Sequence, residues 1–185
     1  MLKSAGFILL GFIAASDAWP QTQPAAARPA DPNRDRLVTL VGDWNVDVVY
    51  VLPGGERRST AQMHSEWILN RHFVRQEYTA SMGQSVFTTL QFLGYDPIRK
   101  KFSILKMDNL DDAMLYADGD ASADGRVITF TGMRSDMMTR STGSLRQVLT
   151  LTDSDHFTLE WYWTPKDGAE SKTVAMVHTR KAVSK

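Results

Sequence analysis

The sequence predicts an all-β fold, an antiparallel barrel of about eight to ten strands closed on itself, with a short helix before it. Three observations carry this. β-Branched and aromatic runs recur from Asp43 to Arg180 at short, regular spacing, and turn clusters of Gly, Pro, Asn and Asp separate them. No helical crossover lies between the runs, so neighbouring strands pair antiparallel. A twisted sheet of that many strands curls, splits or closes, and closure removes its unpaired edges. A two-sheet sandwich is the competing arrangement.

The elements follow in chain order. Lys3, the apolar run Ala5–Ala15 and the small residues around Ser16-Asp17-Ala18 have the layout of a secretory signal, giving residues 1–18 as a signal peptide. An N-terminal helix docked on the domain and an uncleaved anchor are the alternatives. The expected location is periplasmic or secreted. Residues 19–34 are rich in Pro and Ala and form a tether, and residues 35–181 form the barrel domain. Asn33 or Asp35 is expected to cap a short helix through Val41, which Gly42 ends. The expected strands are Asp43–Leu52, Thr60–Leu69, Phe73–Ala80, Val86–Tyr95, Phe102–Asp108, Met114–Ala121, Arg126–Met133, Leu145–Thr152, Phe157–Thr164 and Thr173–Arg180.

Composition removes several functions. Twenty-one basic residues balance twenty-one acidic ones, so no long-range field gathers nucleic acid or anionic lipid. No stretch is long and apolar enough to span a bilayer, so no membrane span is expected in the mature chain. There is no cysteine, which removes disulfides, thiolate catalysis and cysteine-bound metals. His64, His72, His156 and His178 lie far apart without metal-ligand spacing, so no metal is expected. No nucleophile elbow, phosphate loop or dinucleotide fingerprint occurs, and no cofactor is expected.

Closure makes the first and last strands neighbours. Arg180 is therefore expected across the indole of Trp44, sealing one end by a cation–π contact of about 0.5–2 kcal/mol. A ligand would then enter at the opposite end. On the third strand, Phe73, Arg75, Glu77 and Thr79 share one face by parity. If that face is interior, Arg75 and Glu77 are a polar anchor for a ligand; if exterior, they are solvated charges. Phe157, Leu159, Trp161 and Trp163 form the apolar face of the ninth strand, placing Glu160 toward water. Met107, Tyr116 and Trp161 complete the candidate ligand contacts, and Met114, Met133, Met137 and Met138 are further soft side chains suited to a cavity wall. Tyr95-Asp96 before Pro97 reads as a strand end and turn.

The chain resembles the DUF1579 family, bacterial lipocalin-like (calycin) barrels of unknown function. The matching residues are Gly42-Asp43-Trp44, Trp67-Ile68-Leu69, Arg75-Gln76-Glu77-Tyr78, Met82-Gly83-Gln84 and Gly94-Tyr95-Asp96. Lys101-Phe102, Asp136-Met137, Arg146 and Thr179-Arg180 continue the set. Two places depart from it: Asn70-Arg71-His72-Phe73 stands where the family tends to have Gly-Gly-Arg-Phe, and Met107-Asp108 where it tends to have Trp before Asp. The resemblance implies a fold and no activity.

Three functions remain open. The first is a barrel binding a small, mainly apolar molecule. The second is an enzyme using an interior carboxylate or tyrosine as its acid–base group, which needs two titratable groups converging in one pocket, such as Glu77 with the neighbours of Tyr78, or Asp108. The third is a filled barrel acting as an envelope interaction module.

Overall fold

In the computed structural model the described residues are 30–82, 84–110, 112–136 and 140–182. The expected signal peptide and residues 19–29 of the expected tether lie outside them, while Pro32–Arg34, assigned to the tether, belong to a helix.

A helix α1 (Pro32–Arg36) runs into a single 3₁₀ turn, Leu37–Leu40. Its cap is Asp31, and not Asn33 or Asp35: the Asp31 carboxylate accepts from the backbone N–H of Asn33 at 2.9 Å and of Arg34 at 3.4 Å. Pro32 explains the position, since a residue without an N–H is best placed in the first turn, where that donor has no helical partner. Leu37 and Leu40 are fully buried and tie this segment to the core.

Ten strands follow: β1 (Gly42–Leu52), β2 (Gly55–Ile68), β3 (Phe73–Met82), β4 (Ser85–Asp96), β5 (Lys101–Asp108), β6 (Leu115–Ala121), β7 (Val127–Asp136), β8 (Ser141–Leu151), β9 (His156–Pro165) and β10 (Ser171–Arg180). Each pairs antiparallel with its chain neighbour, and β1 pairs with β10, closing the barrel. β7 runs three residues past the expected end at Met133, and β8 starts at Ser141, so their hairpin is longer than the sequence suggested. The bulge between Lys172 and Val174 shifts the β9–β10 register.

Alternation along the strands sets which side chains point inward. Trp44, Val46 and Val48 of β1, Val74, Gln76 and Tyr78 of β3, Phe102, Ile104 and Lys106 of β5, and Leu145, Gln147 and Leu149 of β8 are all buried. One arc of the wall is packed solid. On β6 and β7, Phe130 lies flat over Gly119, where an added Cβ would stand 2.5 Å from its ring. Leu115, Ala117, Ile128, Leu145 and Leu149 fill the space around it.

The end of the barrel beside α1 is sealed. Trp44 is 0% exposed, faces Arg180 in the β1–β10 register, and donates its indole N–H to the Leu40 carbonyl at 3.1 Å. The Arg180 guanidinium carbon stands 4.1 Å from the Trp44 ring centroid. Arg180 also donates to the carbonyls of Val41 at 2.7 Å, Thr39 at 3.0 Å and Ser154 at 2.7 and 2.9 Å. Phe157 meets the Trp44 ring edge-on, with centroids 4.8 Å apart.

Candidate functional site

A cavity opens in the half of the barrel away from this seal. It is lined by Val48 and Tyr50 of β1, Ala61 of β2, Tyr78 and Ala80 of β3, Phe87, Thr89 and Gln91 of β4, Lys106 of β5, Leu159 and Trp161 of β9, and Met176 of β10. It is partly open to solvent. Local sequence explains the hollow: Ala61 and Ala80 face each other in the β2–β3 register, so two of the smallest side chains meet where bulkier pairs fill the wall elsewhere. Among the described residues the lining takes nothing from β6, β7 or β8, the packed arc.

Polar groups cross this interior as a row. Gln76, Gln91 and Lys106 are register partners on β3, β4 and β5. The Gln91 amide donates to the Gln76 side-chain oxygen at 3.1 Å. Lys106 reaches from β5 toward β9, where its ammonium stands 4.8 Å from the Trp161 ring centroid. The contact stands at the border of the hollow, whose lining comes from β1 to β5, β9 and β10. Lys106 also bonds Asp108 at 2.7 Å, and both side chains are nearly buried, at 6% and 7% exposure. Burial pushes the Asp108 carboxyl up, but the Lys106 bond and charge, the Leu110 backbone N–H and the Arg134 charge together hold it below its ordinary value. It stays ionised at neutral pH and is unsuited to general acid work.

Five buried polar atoms have no hydrogen-bond partner among the described residues: Ser65 Oγ, Trp67 Nε1, Gln147 Nε2, Trp161 Nε1 and His178 Nδ1. Two of these belong to neighbours, since Gln147 and Trp161 are directly paired in the β8–β9 register. Tyr78 connects the cavity with the sealed end, its hydroxyl lying 3.2 Å from His178 Nε2. Burial pushes the Tyr78 phenol well up. His178 is stacked on Phe157 with ring centroids 3.9 Å apart. Burial drives its pKa down to about 3, against a weaker upward pull from the Phe157 backbone.

The candidates read from sequence fall on both sides of the wall. Trp161 lies in the cavity lining. Arg75 and Glu77 do not: their face of β3 is the outer one, because Val74, Gln76 and Tyr78 take the interior. Arg75 is neutralised outside by Glu66 at 3.0 Å and Glu77 at 2.6 Å. Tyr116 is 52% exposed on the outer face of β6 and donates to Asp118 at 2.7 Å. Asp118 is held down at about 2 by Arg99 first, then by Tyr116 and Ser103. Met107 alternates with the inward pair Lys106 and Asp108, so it faces outward on β5. Met114 and Met133 are exposed, while Met137 and Met138 lie outside the described residues. Met176 is the methionine in the lining. Glu160 is on the outside, bonded to Lys172 at 2.5 Å and to Tyr162 at 2.8 Å. Tyr95 accepts from Asn33, and Asp96 holds the following turn through the N–H groups of Ile98 and Arg99.

Among the described residues no three His, Asp or Glu side chains converge as metal ligands. No helix among them is long and apolar enough to cross a membrane.

Comparison with known proteins agrees with this architecture. The family described as "Protein of unknown function (DUF1579)" matches residues 30–180. The crystal structure of Rv2717c from M. tuberculosis superposes with a TM-score of 0.63 at 12% identity, covering 83% of this chain and 100% of that one. A redesigned beta barrel gives a TM-score of 0.41 at 13% identity, covering 78% of this chain and 94% of that one. Comparison with curated proteins gives no match.

Proposed function

Since the chain belongs to the DUF1579 family, which carries a fold and no assigned activity, we propose a function from its own interior: an exported barrel that binds a small, mainly apolar molecule. The observation that carries this is the hollow arc itself. Val48, Ala61, Ala80, Phe87, Leu159 and Met176 give it an apolar surface, with a few polar groups at its margin. Ligand sites are commonly concave and mostly apolar with few polar groups, and barrels of this size hold one small molecule. A fully packed interior would support the interaction-module reading; the hollow at Ala61 and Ala80 favours binding.

Native mass spectrometry of the purified protein is expected to show a bound lipophile. Titration with a panel of lipophiles is expected to quench fluorescence, because Trp161 is in the lining. A protein that arrives empty and leaves its tryptophan emission unchanged across the panel would defeat the reading.

A further inference from the structure

We propose that the molecule taken by this cavity carries an uncharged hydroxyl as its polar group, and that this hydroxyl donates to the side-chain oxygen of Gln91. The inference rests on the ligand-binding reading and adds the chemistry of the polar group.

The polar side chains of the lining are Tyr50, Tyr78, Thr89, Gln91, Lys106 and Trp161. Three of them are engaged within the chain. The Tyr78 hydroxyl meets His178, the Lys106 ammonium bonds Asp108, and the Trp161 ring carries that ammonium while its indole nitrogen is buried. Tyr50 and Thr89 present hydroxyls, which turn to donate or to accept and so impose no choice on a guest. Gln91 does impose one. Its amide nitrogen donates to the Gln76 oxygen at 3.1 Å, whereas its own oxygen receives no hydrogen bond among the described residues. The residue is 4% exposed and lines the hollow, so a donor for this oxygen arrives through the hollow.

An amide oxygen only accepts. A hydrocarbon, an ether or a carboxylate offers it no donor. An ammonium donates, but Lys106 is the register partner of Gln91, so two like charges would stand side by side. The pole is no better suited to an anion. Lys106 and Asp108 are bonded at 2.7 Å and nearly buried, so their charges offset each other, and Arg134, whose charge also acts on Asp108, is outside the lining. Bringing a lone charge out of water costs far more than bringing in a hydroxyl. An amide would add a carbonyl in need of a donor of its own. The apolar body of the alcohol would lie along Ala61, Ala80, Phe87 and Met176.

The test titrates the full chain with octanol, its isomer methyl heptyl ether, octanoate and octylammonium, reading affinity from backbone amide shifts by NMR. Octanol is expected to bind about fivefold more tightly than the ether, the effect of one hydrogen bond, and about tenfold or more over either ion. Gln91→Met is expected to bring octanol within about twofold of the ether, while Tyr50→Phe and Thr89→Val keep the preference. The side-chain amide resonances of Gln91, assigned in the unmodified protein, are expected to move with octanol and not with the ether. That readout holds even where a variant fails to fold. Equal affinity for octanol and the ether, tighter binding of either ion, a preference that survives in Gln91→Met, or Gln91 resonances unmoved by octanol overturns the hydroxyl and leaves ligand binding standing. Failure of all four probes to bind removes both.

Discussion

Burial, and no charged neighbour, sets the behaviour of His178. Its pKa is lowered from 6.5 to about 3 by desolvation, so the folded protein holds it neutral across the physiological range. The unfolded chain takes up a proton below about pH 6.5, whereas the folded one does not until about pH 3. Stability is therefore full above pH 6.5 and falls as pH drops through that window, by up to about 1.4 kcal/mol per unit from this proton. Urea midpoints between pH 7 and pH 4.5 are expected to show the slope. A His178→Leu variant is expected to flatten it while losing about 1–3 kcal/mol at pH 7, because the Tyr78 hydroxyl loses its partner. A second residue-scale strain lies in the β2–β3 turn, where Leu69, Asn70 and Arg71 have φ of 48°, 55° and 61°. These are left-handed conformations that cost ordinary residues roughly 1–2 kcal/mol each. Leu69 is 69% exposed, and Leu69→Gly is expected to raise stability by about 1 kcal/mol, or about 2–4 °C in thermal melting.

Among the elements, the sealed end depends on a side chain from the last strand. Arg180 joins the 3₁₀ turn, its C-cap and the β8–β9 loop through carbonyls of Thr39, Val41 and Ser154, besides covering Trp44 of β1. Arg180→Met is expected to cost about 2–4 kcal/mol by chemical denaturation with an unchanged m-value, from the lost hydrogen bonds and cation–π contact. Arg180→Lys is expected to recover little of this, since a point charge cannot reach three carbonyls with the geometry of a planar fork. How far the elements were legible differs by kind. Turn residues and alternation marked all ten strands, because both signals are local. The longer β7–β8 hairpin was not visible, because Arg134 and Asp136 are charged residues inside a strand and propensity alone ends it earlier. Arg75 and Glu77 were ambiguous for the same reason: parity groups residues into faces but does not say which face is inside. The neighbouring Val74 and Tyr78 could have decided it. Lys106 was missed because a buried lysine is rare, although its alternation with Phe102 and Ile104 marks it as inward.

At the scale of the molecule, nine pairings join strands adjacent in sequence, and one joins the two ends of the chain. The β1–β10 seam closes the longest loop and is expected to form late, since non-local pairing must overcome the largest entropy. Val46 is buried on that seam opposite His178. Val46→Ala is expected to remove about 2 kcal/mol, most of it as roughly tenfold faster unfolding with folding slowed about twofold. Stopped-flow chevrons separate the two limbs, and equal effects on both would place the seam in the folding nucleus.

The contact of Lys106 with Trp161 has a consequence for how this barrel tolerates change. It borders a hollow in which Ala61, Ala80 and Met176 are the smaller or more adaptable wall residues. Substitutions at Ala61, Ala80 or Met176 alter the shape of the hollow without touching Phe130, Gly119 or Leu149, which stay packed. The shape of the hollow can accordingly change at little cost to the packing around Phe130.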